Sequence, residues 1–352
     1  MIRHKKPLFI FFAFLLLFGA AFAIQKYLYK SNRDNTIILS QDATTDATKV
    51  NQITYAHQEN FRLLIPNFNY TDKQEDIHVL QFRKGNSQES YNVMIDAAFT
   101  DQANEKLISW LKSRGISQID EIFITHPHQD HYGGLWALIN NNFPVKKIWM
   151  NIPNKEICDK EIPWGCNYKE IVDLTNLIKS KGIILGSLIL EDVNQKKILF
   201  QDAHNKLELL YASSPINPSL GPMDINDLSM IMKLTTNGFS YLFTGDLNKP
   251  LSEYLALNEL DLSSDFLKAP HHGTEGVATN EFLDKVGASY AIVPSPQKLW
   301  CSDRSKRYRE YFSDHKTKTF ISGFHGDIII HHFENHKPIF DVQNPNPSIC
   351  KQ

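Results

Sequence analysis

The sequence predicts a mixed α/β domain in which two sheets are covered by helices. Apolar runs flanked by turn residues indicate strands early and late in the chain, with helical periodicity between them. Many predicted strands are neighbours in sequence, which favours two mixed sheets over one doubly wound parallel sheet. The composition, 42% hydrophobic and 22% charged among 352 residues, is that of a globular protein.

The elements follow one another along the chain. Strands are predicted at Ile77 to Phe82, Tyr91 to Asp96, Glu121 to Thr125, Lys147 to Met150, Lys197 to Gln201, Leu207 to Tyr211, Ser229 to Leu234, Tyr241 to Thr244, Phe266 to Lys268, Tyr290 to Val293 and Asp327 to Phe333. Helices are predicted at Asn104 to Arg114, Tyr132 to Asn141, Tyr168 to Lys181, Pro250 to Leu257, Asn280 to Val286 and Arg304 to Ser313. They define a domain at residues 61–345, after a polar linker at 31–60 and before a tail at 346–352.

Residues 1–30 have the features of a transmembrane anchor or a signal peptide. Arg3, Lys5 and Lys6 precede an uncharged apolar run of 17 residues from Leu8 to Ile24, the short end of what spans a bilayer. Ala21-Phe22-Ala23 also resembles a signal cleavage site, so an uncleaved anchor, which we favour, and a cleaved signal both stay open. In either case the positive-inside rule predicts a domain outside the cytoplasm, anchored in the cell envelope, or secreted or periplasmic after cleavage.

The predicted domain is acidic and compatible with an oxidising compartment. Residues 1–30 hold five Lys/Arg and no acid, so the rest has 32 basic and 39 acidic residues, which excludes nucleic-acid binding by bulk positive charge. The four cysteines lack CxxC and Cys/His spacing, which argues against a cysteine-based zinc site. Cys158 and Cys166 are eight positions apart around Pro163 and Gly165, and are either a loop disulfide or two free thiols.

Potential metal ligands follow the ends of several predicted strands. The stretch THPHQDH contains four of them, His126, His128, Asp130 and His131. Three more residues end or follow other strands: Asp96, Asp246 and His271. Imidazole nitrogens and carboxylate oxygens suit zinc, manganese or iron, and alternate loop positions can face one centre. Because strand ends at one sheet edge are where α/β proteins build sites, we expect a metal site there.

This pattern resembles the metallo-β-lactamase superfamily of hydrolases and, within it, the ComEC-like branch. The motifs IDAA, THPHQDHYGG, NDLSMIMKL, YLFTGDL and LKAPHHGT follow in the order seen in that branch. The resemblance covers about Ile77 to Phe333. It implies the αββα sandwich of the superfamily, two divalent metal ions, zinc or manganese, and hydrolysis by a metal-activated water.

The resemblance also implies a role for each matching residue. His126 and His128 would bind the first metal, and Asp130 and His131 the second. Asp246 would bridge both metals, and His271 would complete the second, although the adjacent His272 can exchange roles with it. Asp130 would also hold the proton of the attacking water. Asp96 would hydrogen-bond the loop and orient a ligand.

The sequence departs from the superfamily at the first metal. Most members supply a further histidine before the bridging aspartate, but here the only histidine in that interval is His204, in a predicted hairpin turn that we interpret as surface. The ComEC-like branch has an Asn-x-x-Ser element there, which is Asn226 and Ser229. Their oxygens are weaker donors than imidazole, so the first metal is expected to bind loosely, to be manganese rather than zinc, or to be absent.

Three residues outside the ligand motifs are candidate substrate contacts. His325 lies in a glycine-flanked turn, which the resemblance places near the active-site mouth, and we interpret it as a substrate contact or proton donor. Arg304 and Arg307 lie on a predicted basic helix, the one concentrated positive patch of an acidic domain, and are expected to meet a phosphate. His331 and His332, on opposite faces of a strand, are interpreted as structural or exposed.

These features favour an exported, membrane-anchored, metal-dependent phosphodiesterase or nuclease. The resemblance adds DNA as a substrate and DNA-uptake or other envelope proteins as partners, although one apolar segment is not expected to form a multi-helix channel. The sequence contains no GxSxG motif, the pattern that would indicate a serine nucleophile. Hydrolysis of a thioester, lactone or β-lactam is the second interpretation, and a non-catalytic envelope protein that keeps the fold is the third.

Overall fold

The computed structural model describes residues 59–350 apart from 69–73, 75, 84–88, 162–164, 214–223, 259 and 275–277. The predicted anchor or signal and nearly all of the predicted linker lie outside the described residues. Among the helices that are described, none combines the length and the apolar character needed to cross a membrane. The first strand begins at Glu59, two positions before the predicted start of the domain.

The described residues form fifteen strands, ten α-helices and three 3-10 helices. The strands are β1 Glu59–Ile65, β2 His78–Arg83, β3 Ser90–Ile95, β4 Ile119–Ile124, β5 Val145–Met150, β6 Ile184–Gly186, β7 Lys197–Gln201, β8 Asn205–Tyr211, β9 Ile231–Thr236, β10 Phe239–Phe243, β11 Phe266–Lys268, β12 Tyr290–Val293, β13 Lys318–Ile321, β14 Ile328–Phe333 and β15 Ile339–Val342. The α-helices are α1 Thr100–Ser113, α2 Gln129–Tyr132, α3 Gly134–Asn140, α4 Lys155–Lys160, α5 Tyr168–Ser180, α6 Lys249–Leu257, α7 Asn280–Val286, α8 Gln297–Trp300, α9 Lys306–Asp314 and α10 Ser322–His325. The 3-10 helices are η1 Ile225–Leu228, η2 Pro270–Gly273 and η3 Asp303–Ser305.

The strands form two mixed sheets. The first has the order β15-β14-β1-β2-β3-β4-β5-β6 and the second β13-β12-β11-β10-β9-β8-β7. Strands β3 to β6 are parallel neighbours in the first sheet, and β10 to β13 are parallel neighbours in the second. The carboxyl ends of parallel strands meet at one edge, so each sheet brings its following loops together there.

Aromatic side chains join the inner faces of the two sheets. The ring centroids of Phe61 on β1 and Tyr241 on β10 are 6.2 Å apart, and Phe82 on β2 stacks on Phe200 of β7 at 4.2 Å. The Tyr241 hydroxyl lies 2.5 Å from Nε2 of His332 on β14. Each pair links strands of different sheets, so the sheets pack face to face.

Helices cover the outer faces of the sandwich. The buried residues of α5 repeat at helical spacing: Ile171, Leu174, Thr175 and Ile178. This apolar stripe joins a core cluster with Leu111 of α1 and Ile122 of β4. In a second cluster, Leu251 of α6 and Phe282 of α7 pack with Leu242 of β10. The fold is the predicted architecture of two mixed sheets with helices.

The predicted elements are present, with shifted ends in most cases. Helix α1 begins at Thr100 rather than at Asn104, and the predicted helix from Tyr132 is divided into α2 and α3 around Gly133. Four strands were not predicted: β1, β6, β13 and β15. Three of these contain only three or four residues, too few to establish an alternating pattern.

Two disulfides join the four cysteines. Cys158 and Cys166 are bonded, with Cα atoms 5.2 Å apart, which selects the disulfide from the two alternatives for this pair. Cys301 and Cys350 form a second bond across 49 positions, which was not predicted. Cys350 and Ile349 also pack against the second core cluster. The predicted tail is therefore tied covalently to the body of the domain.

Candidate metal centre

The predicted ligands lie at one edge of the sandwich, just beyond strands of both sheets. Asp96 directly follows β3, and His126 lies two positions beyond β4. In the second sheet, Asp246 lies three positions beyond β10, and the His271-His272 pair follows β11. Residues from distant parts of the chain therefore meet at the same strand ends.

One cluster of donor atoms is centred on Oδ2 of Asp246. This atom lies 3.2 Å from Nε2 of His131 and 3.0 Å from Nε2 of His272. Oδ2 of Asp130 lies 3.4 Å from the same nitrogen of His272. The two histidines and Asp246 are buried, whereas the Asp130 side chain is 17% exposed. Asp130, His131 and Asp246, which were predicted to hold the second metal, therefore lie close together, and His272 lies among them.

His272, rather than His271, completes this cluster. Nε2 of His271 lies 3.9 Å from Oδ2 of Asp246 and its side chain is 26% exposed, whereas the His272 side chain is fully buried. Both residues have left-handed backbone conformations, with φ of 49° and 56°. This turn directs the second imidazole inward, which the sequence spacing does not reveal. His272 thus lies in the buried cluster and His271 at the cavity wall, and the choice between them as the completing ligand stays a prediction.

A second group of donors surrounds the predicted first metal position. Nε2 of His126 lies 3.2 Å from Nδ1 of His128, so these two ring nitrogens face each other. Asn226 lies on η1, and its Oδ1 is buried without a hydrogen-bond partner. His204 is exposed at the turn between β7 and β8, as predicted, and is not part of the group. Asn226 is therefore the neutral oxygen donor available near the two histidines.

Ser229 holds the backbone of Asp246. Its Oγ accepts a hydrogen bond of 2.9 Å from the Asp246 amide and lies 3.5 Å from Nδ1 of His126. A Cβ atom on Gly245, whose φ is 51°, would lie 2.5 Å from that oxygen. Only glycine therefore fits beside Ser229 at this turn. The contacts give Ser229 a positioning role, while the prediction treated it as a weak ligand.

Asp96 connects the motif loop to His131. Its carboxylate accepts a hydrogen bond of 2.7 Å from the Thr125 amide, and its Oδ2 lies 2.9 Å from Nδ1 of His131. The residue itself is buried, with a φ of 60°. A carboxylate on Nδ1 leaves Nε2 of His131 as the nitrogen that faces Asp246.

Two buried charges behind the site were missed by the sequence analysis. Nζ of Lys268 lies 3.0 Å from Oδ1 of Asp246 and 2.5 Å from Oδ2 of Asp76. Asp76 also lies 3.2 Å from Nδ1 of His78. The available signal was Lys268 itself, a charged residue on the short strand β11 whose residues are all buried. Asp76 offered no comparable signal, because it precedes β2 in a polar stretch.

Burial and neighbouring charges act in opposite directions on the acids and bases of the site. Burial alone would raise the pKa of Asp246, but the neighbouring His272 and Lys268 hold it well below its usual range. Burial opposes the charge on His272, yet Asp246 and Asp130 raise the pKa of this imidazole to about 9. Burial lowers the pKa of His271 to about 4. The two adjacent imidazoles therefore have pKa values shifted in opposite directions.

A cavity of about 480 Å³ gives access to these donors. Its lining includes four of the predicted ligands, His128, Asp130, Asp246 and His271. Further lining residues come from the end of α4 and from η1 and its preceding residue: Lys160, Glu161, Asp224 and Asn226. Carboxylates outnumber cations among these side chains, so the lining has the charge that attracts divalent cations.

The structure does not bring the three predicted substrate contacts to this cavity. Nδ1 of His325 accepts a hydrogen bond of 3.0 Å from the Ile321 amide, and its ring packs against Phe320. Arg307 donates to the Ala278 carbonyl and to Oδ1 of Asn280. Arg304 lies on η3, before the helix begins. Their roles as substrate contacts stay predictions, because a turn or a basic helix in sequence does not fix the direction of its side chains.

The donor atoms fit a divalent cation. Nε2 of His131 and Nε2 of His272 are buried and face Oδ2 of Asp246 at 3.2 and 3.0 Å, so two imidazole nitrogens and a carboxylate oxygen are directed at one place. Asp76, His131, Asp246 and His272 offer atoms within 4.8 Å of one another. The facing nitrogens of His126 and His128 offer a further position. Nitrogen and oxygen donors of this kind suit zinc or manganese.

Comparison with known proteins confirms the resemblance to the metallo-β-lactamase superfamily. Residues 82–149 match the family model described as the metallo-beta-lactamase superfamily, a stretch that contains β3, β4 and the THPHQDH loop. The chain is 24% identical over 240 residues to ComE operon protein 3 of Bacillus subtilis (strain 168). That match covers 68% of this chain and 28% of the relative, so this chain spans less than a third of that protein's length.

Two solved structures are similar to this chain. The metallo-beta-lactamase fold protein YhfI from Bacillus subtilis is 12% identical with a TM-score of 0.42, over 78% of this chain and 100% of that one. Unliganded yeast PDE1 is 15% identical with a TM-score of 0.43, over 75% and 98%.

Proposed function

We propose that this protein is a metal-dependent phosphodiesterase or nuclease of the ComEC-like kind. The proposal includes a domain outside the cytoplasm, anchored by the N-terminal segment, that acts with envelope or DNA-uptake proteins. The carrying observation is the convergence of His131 and His272 on Oδ2 of Asp246, with the Asp130 carboxylate beside His272, at an accessible cavity. Hydrolysis as the reaction class is supported by the match to the metallo-β-lactamase superfamily.

The residues would divide into two metal-holding groups. His126 and His128, with Asn226 nearby, would hold the first cation, and Asp130, His131 and His272 the second. Asp246 would take part in holding both cations. Divalent cations held there would lower the pKa of a water molecule and offset the negative charge that develops on a phosphoryl oxygen.

The protein's own groups would then place and deprotonate the reactants. The Asp130 carboxylate is the least buried member of its cluster and lines the cavity, so it can accept a proton from water that enters. Lys268 and Ser229 hold Asp246 from behind, which keeps its second oxygen directed at the histidines. The open cavity would receive a phosphodiester whose charge the cations balance.

The phosphodiester specificity rests on two supports. The ComEC-like motifs include Asn226 and Ser229 where most of the superfamily has a histidine, and the relative that matches 68% of the chain is a ComE operon protein. A small phosphodiester or a nucleic acid is then the substrate class. Thioester, lactone and β-lactam hydrolysis remain the competing activity for the same residues.

The test measures metal and turnover on the same sample. The full chain would be purified, its zinc and manganese content determined by elemental analysis, and hydrolysis of bis-p-nitrophenyl phosphate compared with that of a lactone and a cephalosporin. We expect close to two metals per chain and turnover of the phosphodiester after manganese or zinc addition. Turnover of only the lactone or cephalosporin would replace the phosphodiesterase proposal. A chain without metal or turnover after reconstitution would favour a non-catalytic protein.

A further inference from the structure

The loop closed by the Cys158–Cys166 disulfide reaches the metal centre from outside the superfamily motifs. Cys158 lies on α4, and both cysteines are fully buried. Between them, the Glu161 amide donates to the Cys158 carbonyl at 2.9 Å, and the Cys166 amide donates to the Glu161 carbonyl at 3.3 Å. The backbone of Glu161 is therefore bonded to both ends of the covalent ring.

The Glu161 side chain joins two elements that carry donor atoms. Its Oε2 lies 3.2 Å from Nε2 of His128, and its Oε1 accepts a hydrogen bond of 3.0 Å from the Ile225 amide. Ile225 begins η1, the short helix that also carries Asn226. The Glu161 carboxylate therefore contacts both His128 in the motif loop and η1, the short helix that carries Asn226.

The same loop makes a second contact with the motif. The Gly165 carbonyl accepts a hydrogen bond of 3.1 Å from the amide of Gln129. A Cβ atom on Gly165, whose φ is 112°, would lie 3.5 Å from that amide nitrogen. The loop therefore holds the motif on both sides of the His128–Gln129 peptide.

These contacts determine which nitrogen of His128 is available. A carboxylate beside Nε2 favours the tautomer with the proton on that nitrogen, which leaves the lone pair on Nδ1. Nδ1 is the atom that faces Nε2 of His126, at 3.2 Å. Because the sequence has Asn226 and Ser229 where most of the superfamily has a third histidine, the affinity of this position for a cation depends more heavily on the orientation of His126 and His128.

We propose that Glu161, held in place by the Cys158–Cys166 disulfide, is a positioning residue that orients His128 for the first cation. This inference rests on the proposed function, which supplies the identity of the cation. The orientation of His128 is a property of the metal-free protein and does not depend on that identity. Loss of the carboxylate or of the covalent ring is expected to weaken binding at the first position and to leave the second intact. Partners that orient a ligating histidine typically contribute roughly 10–100-fold to metal affinity.

The first measurement is manganese and zinc binding to the full chain by isothermal titration calorimetry. We expect Glu161→Ala and the double variant Cys158→Ser/Cys166→Ser each to weaken the looser of two binding events by roughly 10–100-fold. Glu161→Gln keeps an oxygen acceptor and should restore part of the loss. The matched control is Cys301→Ser/Cys350→Ser, whose cysteines do not line the cavity, and its affinities should equal those of the wild type. Wild-type affinities at both positions in Glu161→Ala would overturn the proposal.

The second measurement uses the metal-free protein and does not depend on hydrolysis. Nitrogen-15 NMR of labelled histidines reports which ring nitrogen of His128 carries the proton. We expect the proton on Nε2 in the wild type and a mixture of tautomers in Glu161→Ala. The same tautomer in both proteins would overturn the proposal. If the wild type bound no metal, the proposed function would fail while the tautomer result would still decide whether Glu161 orients His128.

Discussion

The Lys268 ammonium nitrogen lies 3.0 Å from Oδ1 of Asp246, whereas the other oxygen of that carboxylate faces His131 and His272. Lys268 also contacts Oδ2 of Asp76 and the Gly245 carbonyl, so its three N–H donors have three acceptors. Although burial alone would lower it, the two carboxylates raise the pKa of Lys268 above its ordinary value. The Lys268 ammonium group therefore contacts Oδ1 of Asp246 and leaves Oδ2 as the oxygen that faces the histidines.

Replacing Lys268 by methionine should strongly destabilise the fold. Lys268→Met keeps a side chain of similar length but leaves Asp76 and Asp246 buried without their cation, for which we expect a loss of about 3–5 kcal/mol in the free energy of unfolding. Urea denaturation of the metal-free protein, followed by circular dichroism, would measure it. Lys155→Met removes an exposed lysine paired with Asp159 and should change stability by less than about 0.5 kcal/mol. Equal stabilities for the two variants would contradict the prediction.

Replacing Asp130 by asparagine should remove activity while leaving the fold intact. Asp130→Asn keeps the shape of a side chain at the cavity wall but cannot take a proton, so we expect phosphodiester turnover to fall about 10²–10⁴-fold. Turnover would be measured beside the unfolding midpoint, which should stay close to that of the wild type. The control is Asp173→Asn, which alters an aspartate paired with Lys169 on the surface of α5. Global unfolding of Asp130→Asn would indicate a structural role instead.

The two adjacent histidines should differ in metal content when each is replaced. Both have positive φ, so alanine meets the same kind of backbone strain at either position. We expect His272→Ala to lose one metal per chain, because its Nε2 lies 3.0 Å from Asp246, and His271→Ala to keep both. Elemental analysis after dialysis would measure this. The opposite result would restore His271 as the ligand.

His332 should make the domain less stable in mild acid. Burial lowers its pKa to about 3, whereas the histidine of the unfolded chain titrates near 6.5. Between these values the unfolded chain binds a proton that the folded one does not, so stability falls as the pH drops below about 6.5, by about 1.4 kcal/mol per pH unit. His332→Gln should flatten this slope in urea denaturation between pH 7 and pH 4.

The control for this pH dependence is the exposed His204. His204→Gln should leave the slope of the unfolding free energy against pH unchanged, because its imidazole is in water in both states. Equal slopes in the wild type and His332→Gln would refute the assignment to His332.

The sequence predicted the donors that lie close together along the chain. His126, His128, Asp130 and His131 belong to one loop, so their types and spacing already define a metal motif. Asp76 and Lys268 are far apart in sequence and become neighbours only when both sheets are assembled. No local pattern records such a pair.

Side-chain direction was the second limit on prediction. Sequence spacing could not tell which of His271 and His272 faces inward, because two consecutive left-handed residues decide it. His325 was predicted near the site, but its ring is bonded within its own turn. Apolar runs predicted most strands. The short strands β13 and β15 were not predicted, and in the structure they pair with β12 and β14.

The Cys301–Cys350 bond encloses β13, β14 and β15. Strand β13 ends the second sheet, while β14 and β15 belong to the first, so the enclosed segment contributes to both halves of the sandwich. A protease that cut one peptide bond between these cysteines would leave both fragments covalently attached and their strands in place. Such a nicked chain would migrate as two pieces on a gel only after reduction, and it would survive a single cleavage in a protease-rich environment without losing either fragment.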